Sequence, residues 1–381
     1  MGPNNKSKGK SKIKVCFTTT EYPPDIGGVA KSSERVVNFL SQSGFDVHIF
    51  APMSKVDNTD DLFSLKIIEN IKLYRVNQRL SDAFVKAISL IDKKEEFNIF
   101  HGFFLASATP CIKVAENRNR PVIVSLRGID GNWFQESKFY HWSKDILNKA
   151  SWITSVSSES LSRANELVDI KHKSSFIFNS IISESCTPWK LTEDNHKVVG
   201  TVAVFNPKKK IPLLVEAYAN IEPTWRRKLL LVGDFLEGGK PDMYRKNSFH
   251  ELCNFLKVTD EVEITGYVEN TSVWNYLSAM NVFVLSSKHE GLPNAVLEAI
   301  ALGMPIVATS VDGIKDILCH QVNALLVPPD DMVSMRDAIV EILRNDSLAT
   351  QLSSGALELN RRLTPEAERE KWLKLYSDLL A

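Results

Sequence analysis

The chain has 381 residues, with 46 basic and 46 acidic side chains and a formal net charge of zero. That length suits two domains of ordinary size, each burying its own core, and the charge balance argues against a nucleic-acid binder. Five scattered cysteines (Cys16, Cys111, Cys186, Cys253, Cys319) show no C-x-x-C spacing, so neither a disulfide framework nor a zinc site is suggested. A reducing, cytoplasmic setting fits that usage. No apolar run nears the roughly 18 residues of a membrane span, which leaves peripheral membrane contact open. Residues 1–12 carry Lys6, Lys8, Lys10 and Lys12 without an acid and are expected to be disordered.

Residues 13–20 read as the first strand, followed by a loop rich in Pro and Gly, Glu21-Tyr-Pro-Pro-Asp-Ile-Gly27-Gly28-Val29. Val29, Val36, Val37 and Leu40 recur at helical spacing, Gly44 closes that helix, and residues 46–51 form the next strand. This is a βαβ unit without G-x-G-x-x-G, so a nicotinamide dinucleotide site is poorly supported. Gly27 and Gly28 serve either a tight turn or the close approach of a ligand to backbone. A strand at 71–76 and a helix near 82–91 follow. Residues 97–101 make a strand that ends in His101, whose role is structural or functional. The apolar run 121–126 ends in Arg127-Gly-Ile-Asp130, at the carboxyl end of a strand, where open α/β sheets bind ligands. An always-protonated guanidinium can hold a phosphate or carboxylate but cannot act as a base; an Arg127–Asp130 surface pair is the alternative.

Residues 183–197 are polar, include Pro188 and read as a linker. The strand pattern restarts at 198–205 and leads into Asn206-Pro-Lys208-Lys209-Lys210, either a solvated turn or lysines able to neutralise a diphosphate without a metal ion. A strand at 229–232 ends in Gly233-Asp234. The segment 261–268 ends in Val268. Two short β-branched runs, 282–286 and 305–308, then flank a loop holding Glu290 and a short helix holding Glu298. Pro293 or Asn294 can start that helix, and Gly303 can end it in a left-handed cap. Eight residues of helix would rise about 12 Å, wider than the roughly 5–9.5 Å between paired glycosidase carboxylates. A long ligand suits this spacing better. The amides of Gly291, Leu292, Asn294 and Ala295 could receive a phosphate at the helix start, with a sugar meeting Glu290 and a ribose meeting Glu298. Two solvated glutamates on a surface helix would give the same spacing. Residues 365–380 form an amphipathic helix.

Glu290-Gly-Leu-Pro-Asn-Ala-Val-Leu-Glu298-Ala resembles the E-x7-E signature of glycosyltransferase family 4, whose members are mostly retaining, nucleotide-sugar-dependent enzymes of the GT-B fold. The glycine loop at Gly27-Gly28, the strand ending in His101, Arg127-Gly-Ile-Asp130 and the turn at Gly233 are similar to further family segments, and the resemblance covers residues 13–381 almost throughout. It implies two Rossmann-like α/β domains facing a cleft: an acceptor domain at 13–188, a donor domain at 196–364, and a helix at 365–381 crossing back to the first. It also implies that Glu298 binds the donor ribose, Glu290 orients the donor sugar, and the segment ending at Val268 meets the nucleobase through backbone. Lys209, beside Lys208, falls on the family's phosphate-binding lysine, while Val204 stands where an arginine is usual, a gap that Arg127 could fill. The expected partners are a nucleotide-sugar donor and a glycan, lipid-linked or small-molecule acceptor, with no cofactor and no metal. A nucleotide-sugar 2-epimerase and a non-catalytic nucleotide-sugar-binding subunit are the alternatives.

Overall fold

A computed structural model describes residues 12–25, 27–53, 60–78, 82–127, 134, 136–181, 188–191, 197–237 and 240–381. The expected disordered tail, apart from residue 12, Asp130 and most of the 183–197 linker lie outside them. The chain divides into two compact units: the first runs through Thr154 and includes Ala164–Ser175 and Arg369–Ala381; the second comprises Ser155–Arg163 and Phe176–Glu368.

The first unit is an α/β sheet built from β1 (Lys14–Thr19), α1 (Gly28–Gln42), β2 (Asp46–Pro52), β3 (Phe63–Ile68), β4 (Ile71–Val76), α2 (Ala83–Glu95), β5 (Ile99–Phe103), α3 (Leu105–Ala115), β6 (Val122–Leu126), α4 (Ser137–Lys149), β7 (Trp152–Ser155), α5 (Ser158–Leu167) and β8 (Ser174–Phe176), of which residues 155, 158–163 and 176 fall in the second unit. The strands lie in the order β3-β4-β2-β1-β5-β6-β7-β8. β1 runs parallel to β2 and β5, β2 to β4, and β5 to β6, whereas β3 is antiparallel to β4. Strands such as β2 and β6 are buried along nearly their whole length, which is why they read as continuous apolar runs without alternation. The chain leaves β1 toward β2 on one side and returns to β5 on the other. That reversal makes the carboxyl end of β1 a topological switch point, the place where such sheets bind ligands.

The second unit contains β9 (Val198–Val202), α6 (Ile211–Ala219), β10 (Lys228–Val232), the two-residue strands β11 (Leu236–Glu237) and β12 (Lys240–Pro241), α7 (Met243–Phe255), β13 (Val262–Ile264), α8 (Asn270–Ser278), β14 (Val282–Leu285), α9 (Asn294–Ala301), β15 (Ile306–Thr309), α10 (Asp312–Lys315), β16 (Leu325–Val327), α11 (Met332–Arg344) and α12 (Asp346–Asn360); α13 (Pro365–Leu380) begins within it. Its main sheet has the order β13-β10-β9-β14-β15-β16, and β9 is parallel to both β10 and β14. The order again reverses, between β9 and β14. The loops after those two strands therefore share a second switch point.

The division differs from the expected cut at 188. Residues 155–163 and 176–181 belong to the second unit because Val156 and Phe178 lie in its apolar core. Polar contacts hold them as well: Ser158 N donates to Asp316 Oδ2 at 2.7 Å, and Asn179 Nδ2 donates to the Leu292 carbonyl. Arg369–Ala381 belongs to the first unit, where Trp372 and Tyr376 are fully buried.

Candidate functional site

In the second unit, hydrogen bonds to backbone carbonyls tie the two switch-point loops together. Lys288 N donates to the Lys208 carbonyl at 2.8 Å, and Ser286 Oγ donates to the Lys209 carbonyl at 2.7 Å. This brings Lys209 Nζ to 2.5 Å from Glu290 Oε1, an ion pair with both side chains largely buried. Lys208 points to solvent, and Lys210 pairs with Asp330 at 2.7 Å. Of the lysine run, Lys209 is the one placed with a sequence-predicted glutamate.

Glu290 sits on the loop before α9. That helix starts at Asn294 after Pro293, which supplies no side-chain cap, because a proline ring has no group that could accept an amide hydrogen. Among the described residues no protein acceptor meets the amides of Gly291, Leu292, Asn294 or Ala295. Gly291 and Leu292 are buried. Unpaired amides at a helix start, beside a lysine, are able to receive an anion. Glu298, one turn into α9, is 5% exposed. Gly233 follows β10 with φ of 137° and bridges to Gly266. A Cβ at Gly233 would stand 1.8 Å from the Ala203 carbonyl oxygen, so only glycine fits. Val268, half-buried, packs on the apolar core. Val204, where the resemblance implies an arginine, is 36% exposed on the loop after β9.

Two residues of this site escaped the sequence reading. Ser287, at the end of β14, is fully buried and its Oγ has no hydrogen-bond partner; a second serine after a strand carries no sequence signal of that kind. Gly313 lets α10 approach the Glu290 loop so closely that a Cβ there would lie 1.9 Å from the Gly291 carbonyl oxygen.

In the first unit, Gly27 and Gly28 stand at the start of α1, just after the carboxyl end of β1. Glu21 lies beside Gly27 and its carboxyl is held above the usual range, by burial first and by the Asp25 charge second. His101 is fully enclosed: Nδ1 meets Tyr376 Oη and Nε2 meets Ser125 Oγ, each at 2.7 Å. Burial, and then the Arg127 charge, push its pKa well below the usual value, so the ring is neutral. Expected as a catalytic residue, His101 has no exposed surface and both ring nitrogens engaged in this structure. Arg127, 5% exposed, lies over the Phe103 ring at 4.3 Å and the Trp372 ring at 5.5 Å. Aromatic faces thus hold its cation.

Among the described residues one trio, Asp46, His48 and Glu95, has ligand-type atoms within 4.8 Å of one another. Lys72 and Lys14 already pair with its carboxylates, Lys72 with Asp46 at 3.3 Å and Lys14 with Glu95 at 2.8 Å. Those ammonium groups do the neutralising that a metal ion would. No helix among the described residues is long and apolar enough to cross a membrane.

Comparison with known proteins converges on one group. The family model described as Glycosyltransferase Family 4 matches residues 26–184, and that described as Glycosyl transferases group 1 matches residues 187–358. An uncharacterized glycosyltransferase of Methanocaldococcus jannaschii is 23% identical over 361 residues, 94% of this chain and 96% of that protein. Sucrose-phosphate synthase from Thermosynechococcus elongatus superposes with a TM-score of 0.82 at 21% identity, covering 97% of this chain and 99% of that one. HepE of Anabaena, solved in complex with UDP and glucose, superposes with a TM-score of 0.79 at 16% identity over 96% and 100% of the two chains. The fold is that of the GT-B glycosyltransferases. With both family models matched in succession along the chain, the protein belongs to glycosyltransferase family 4.

Proposed function

We propose that the protein is a retaining glycosyltransferase that moves a sugar from a nucleoside diphosphate donor to a hydroxyl acceptor without a metal ion. The observation that carries the reading is the set of four unpaired amides at Gly291, Leu292, Asn294 and Ala295 beside Lys209. A diphosphate seated there is neutralised by the ammonium group and the positive end of α9. Glu290, released in part from Lys209 as the phosphate takes that charge, turns to the donor sugar hydroxyls. Glu298 takes the ribose. In transfer, the bond from the anomeric carbon to the diphosphate oxygen breaks and the bond to the acceptor oxygen forms on the same face. The acceptor proton passes to the departing phosphate. Stabilising the charge that grows on that phosphate is then the main catalytic term. The UDP complex of the HepE neighbour supports a nucleotide of this class.

Thermal denaturation with UDP, GDP and ADP, each with and without a chelator, tests the reading. One nucleotide should stabilise the protein by about 2.7 kcal/mol at a hundredfold excess over Kd, chelator or not. Lys209→Ala should weaken that nucleotide roughly 10- to 100-fold, the worth of a charge-assisted bond of about 1.5–3 kcal/mol. Glu298→Ala should weaken the nucleoside diphosphate and leave inorganic pyrophosphate binding as it was. A protein that no nucleotide stabilises, or a Lys209→Ala variant with undiminished affinity, would overturn the assignment.

A further inference from the structure

Four charged side chains close a ring between α5 and α10, within the second unit. Arg163 pairs with Glu159, one turn before it on α5, and its Nη2 reaches Oδ1 of Asp312, the first residue of α10, at 3.6 Å. Lys315, at the end of α10, meets the other oxygen of Glu159 at 3.3 Å. Signs alternate around the ring, and Asp312 and Arg163 are its more enclosed members, 15% and 19% exposed. An isolated exposed ion pair contributes little, whereas charges in a network of fixed geometry hold one another in place.

The residue after Asp312 touches the donor loop. Gly313 is buried so closely against the Gly291 carbonyl that a Cβ would stand 1.9 Å from its oxygen. The Gly291 carbonyl and the Leu292 amide belong to one planar, trans peptide group, in which C=O and N–H point in opposite directions. Backbone that confines the oxygen therefore also sets where the N–H points. Among the described residues that N–H has no backbone or side-chain acceptor, and it is one of the four amides given to the diphosphate above.

Apolar packing alone would not fix this angle. Leu292, Ile314 and Val156 enter one core, which keeps α10 near the loop, but burial of apolar surface is non-directional. Polar bonds supply the direction. Asp316, just after α10, accepts from Ser158 N at 2.7 Å; Asp312 anchors the opposite end of the helix, beside Gly313.

We propose that Asp312 is a positioning residue for donor binding: held by Arg163, it sets Gly313 against the Gly291 carbonyl and so aims the Leu292 N–H at the diphosphate. The assignment rests on the donor reading above.

Titration of the full chain with inorganic pyrophosphate, followed by calorimetry and by the amide resonance of Leu292, gives a test independent of turnover. Pyrophosphate should move that resonance in the unaltered protein. Asp312→Ala and Arg163→Met should each raise the pyrophosphate Kd about fivefold, within the range of coupling between contacting groups. The double variant should bind no more weakly than either single one, because both side chains act through one contact. Asp316 keeps α10 tethered in every variant, and the urea midpoint reports separately on stability. A side chain that only held the fold together would lower the midpoint and leave Kd as it was. An unchanged Kd in either single variant, or penalties that add in the double variant, would overturn the proposal wherever the midpoint lies. A Leu292 resonance that pyrophosphate leaves unmoved in the unaltered protein would instead strike the donor assignment, and this one with it, so the two failures are distinguishable.

Discussion

Gly313 and Gly28 make opposite steric demands, and the difference separates structure from chemistry. A Cβ at Gly313 would meet the Gly291 carbonyl oxygen at 1.9 Å and the Val156 carbonyl oxygen at 3.2 Å. Both are backbone, so relief requires a loop to move. Gly313→Ala should therefore cost about 1–3 kcal/mol in unfolding free energy, as overpacking does. Nucleotide affinity should fall as well, because the displaced loop carries Glu290 and the free amides; an unchanged urea midpoint would refute this. At Gly28 nothing lies within 4 Å of an added Cβ, and the residue opens α1. Gly28→Ala should leave stability level or slightly raised, since alanine favours helix by up to about 1 kcal/mol over glycine. If the bare backbone is there for a ligand to approach, turnover should drop at least tenfold with the midpoint unmoved. Unimpaired turnover would reduce Gly28 to a helix start. Gly28 was legible in the sequence because two adjacent glycines follow a strand. Gly313 was not legible as a site residue, because its demand comes from a carbonyl in another loop.

At the scale of elements, α9 shows what a short helix needs in order to present its amino end. Its last turn closes with Gly303 in the left-handed region at φ of 66°, Gly303 N donating to the Ile300 carbonyl and Met304 N to the Ala299 carbonyl, both at 3.0 Å. This is the two-bond glycine cap. Gly303→Ala should cost at least about 1 kcal/mol for the left-handed strain, and more if Leu357, 2.6 Å from the added Cβ, cannot turn aside. Urea unfolding should register the loss while nucleotide Kd stays within about twofold, since the amino end of α9 is held by separate bonds; a large change in Kd would mean that the two ends are coupled. Both ends of this helix were readable, because proline and glycine punctuate a chain by their backbone restrictions alone. β3 was not read: it is an antiparallel edge strand that leaves Leu65 and Ile67 exposed, so its apolar residues do not mark a buried face. The division into units was also displaced from the polar stretch that suggested a linker. Low hydrophobicity marks a surface segment, whereas membership of a unit depends on which core Val156 and Phe178 enter.

For the whole molecule, the strongest pH dependence is expected at the amino ends of the first sheet, the opposite end from that sheet's own switch point. His48 on β2 is fully buried, with Nδ1 3.3 Å from Tyr74 Oη and Nε2 3.1 Å from Lys72 Nζ. Burial foremost, then the Lys72 charge, push its pKa down to about 4, against the opposing pull of Asp46 and Glu95. The unfolded chain, with an ordinary histidine near pH 6.5, binds the proton first. The stability that neutral His48 contributes is therefore complete above about pH 6.5 and lost as pH falls toward 4. Between pH 7.5 and 5 the loss should be roughly 2 kcal/mol by linkage. Glu95 acts in the same direction at lower pH: its hydrogen bond from Lys14 holds its carboxyl below the usual range, so its contribution also falls away in acid. Two units need not unfold together, so the measurement should report on the first alone. Hydrogen-exchange protection of the β2 amides, corrected for the intrinsic rate at each pH, serves that purpose. Protection should fall across this interval in the unaltered protein and stay flatter in His48→Gln, whatever that variant's absolute stability. Equal slopes in the two proteins would show that a different group takes up the proton.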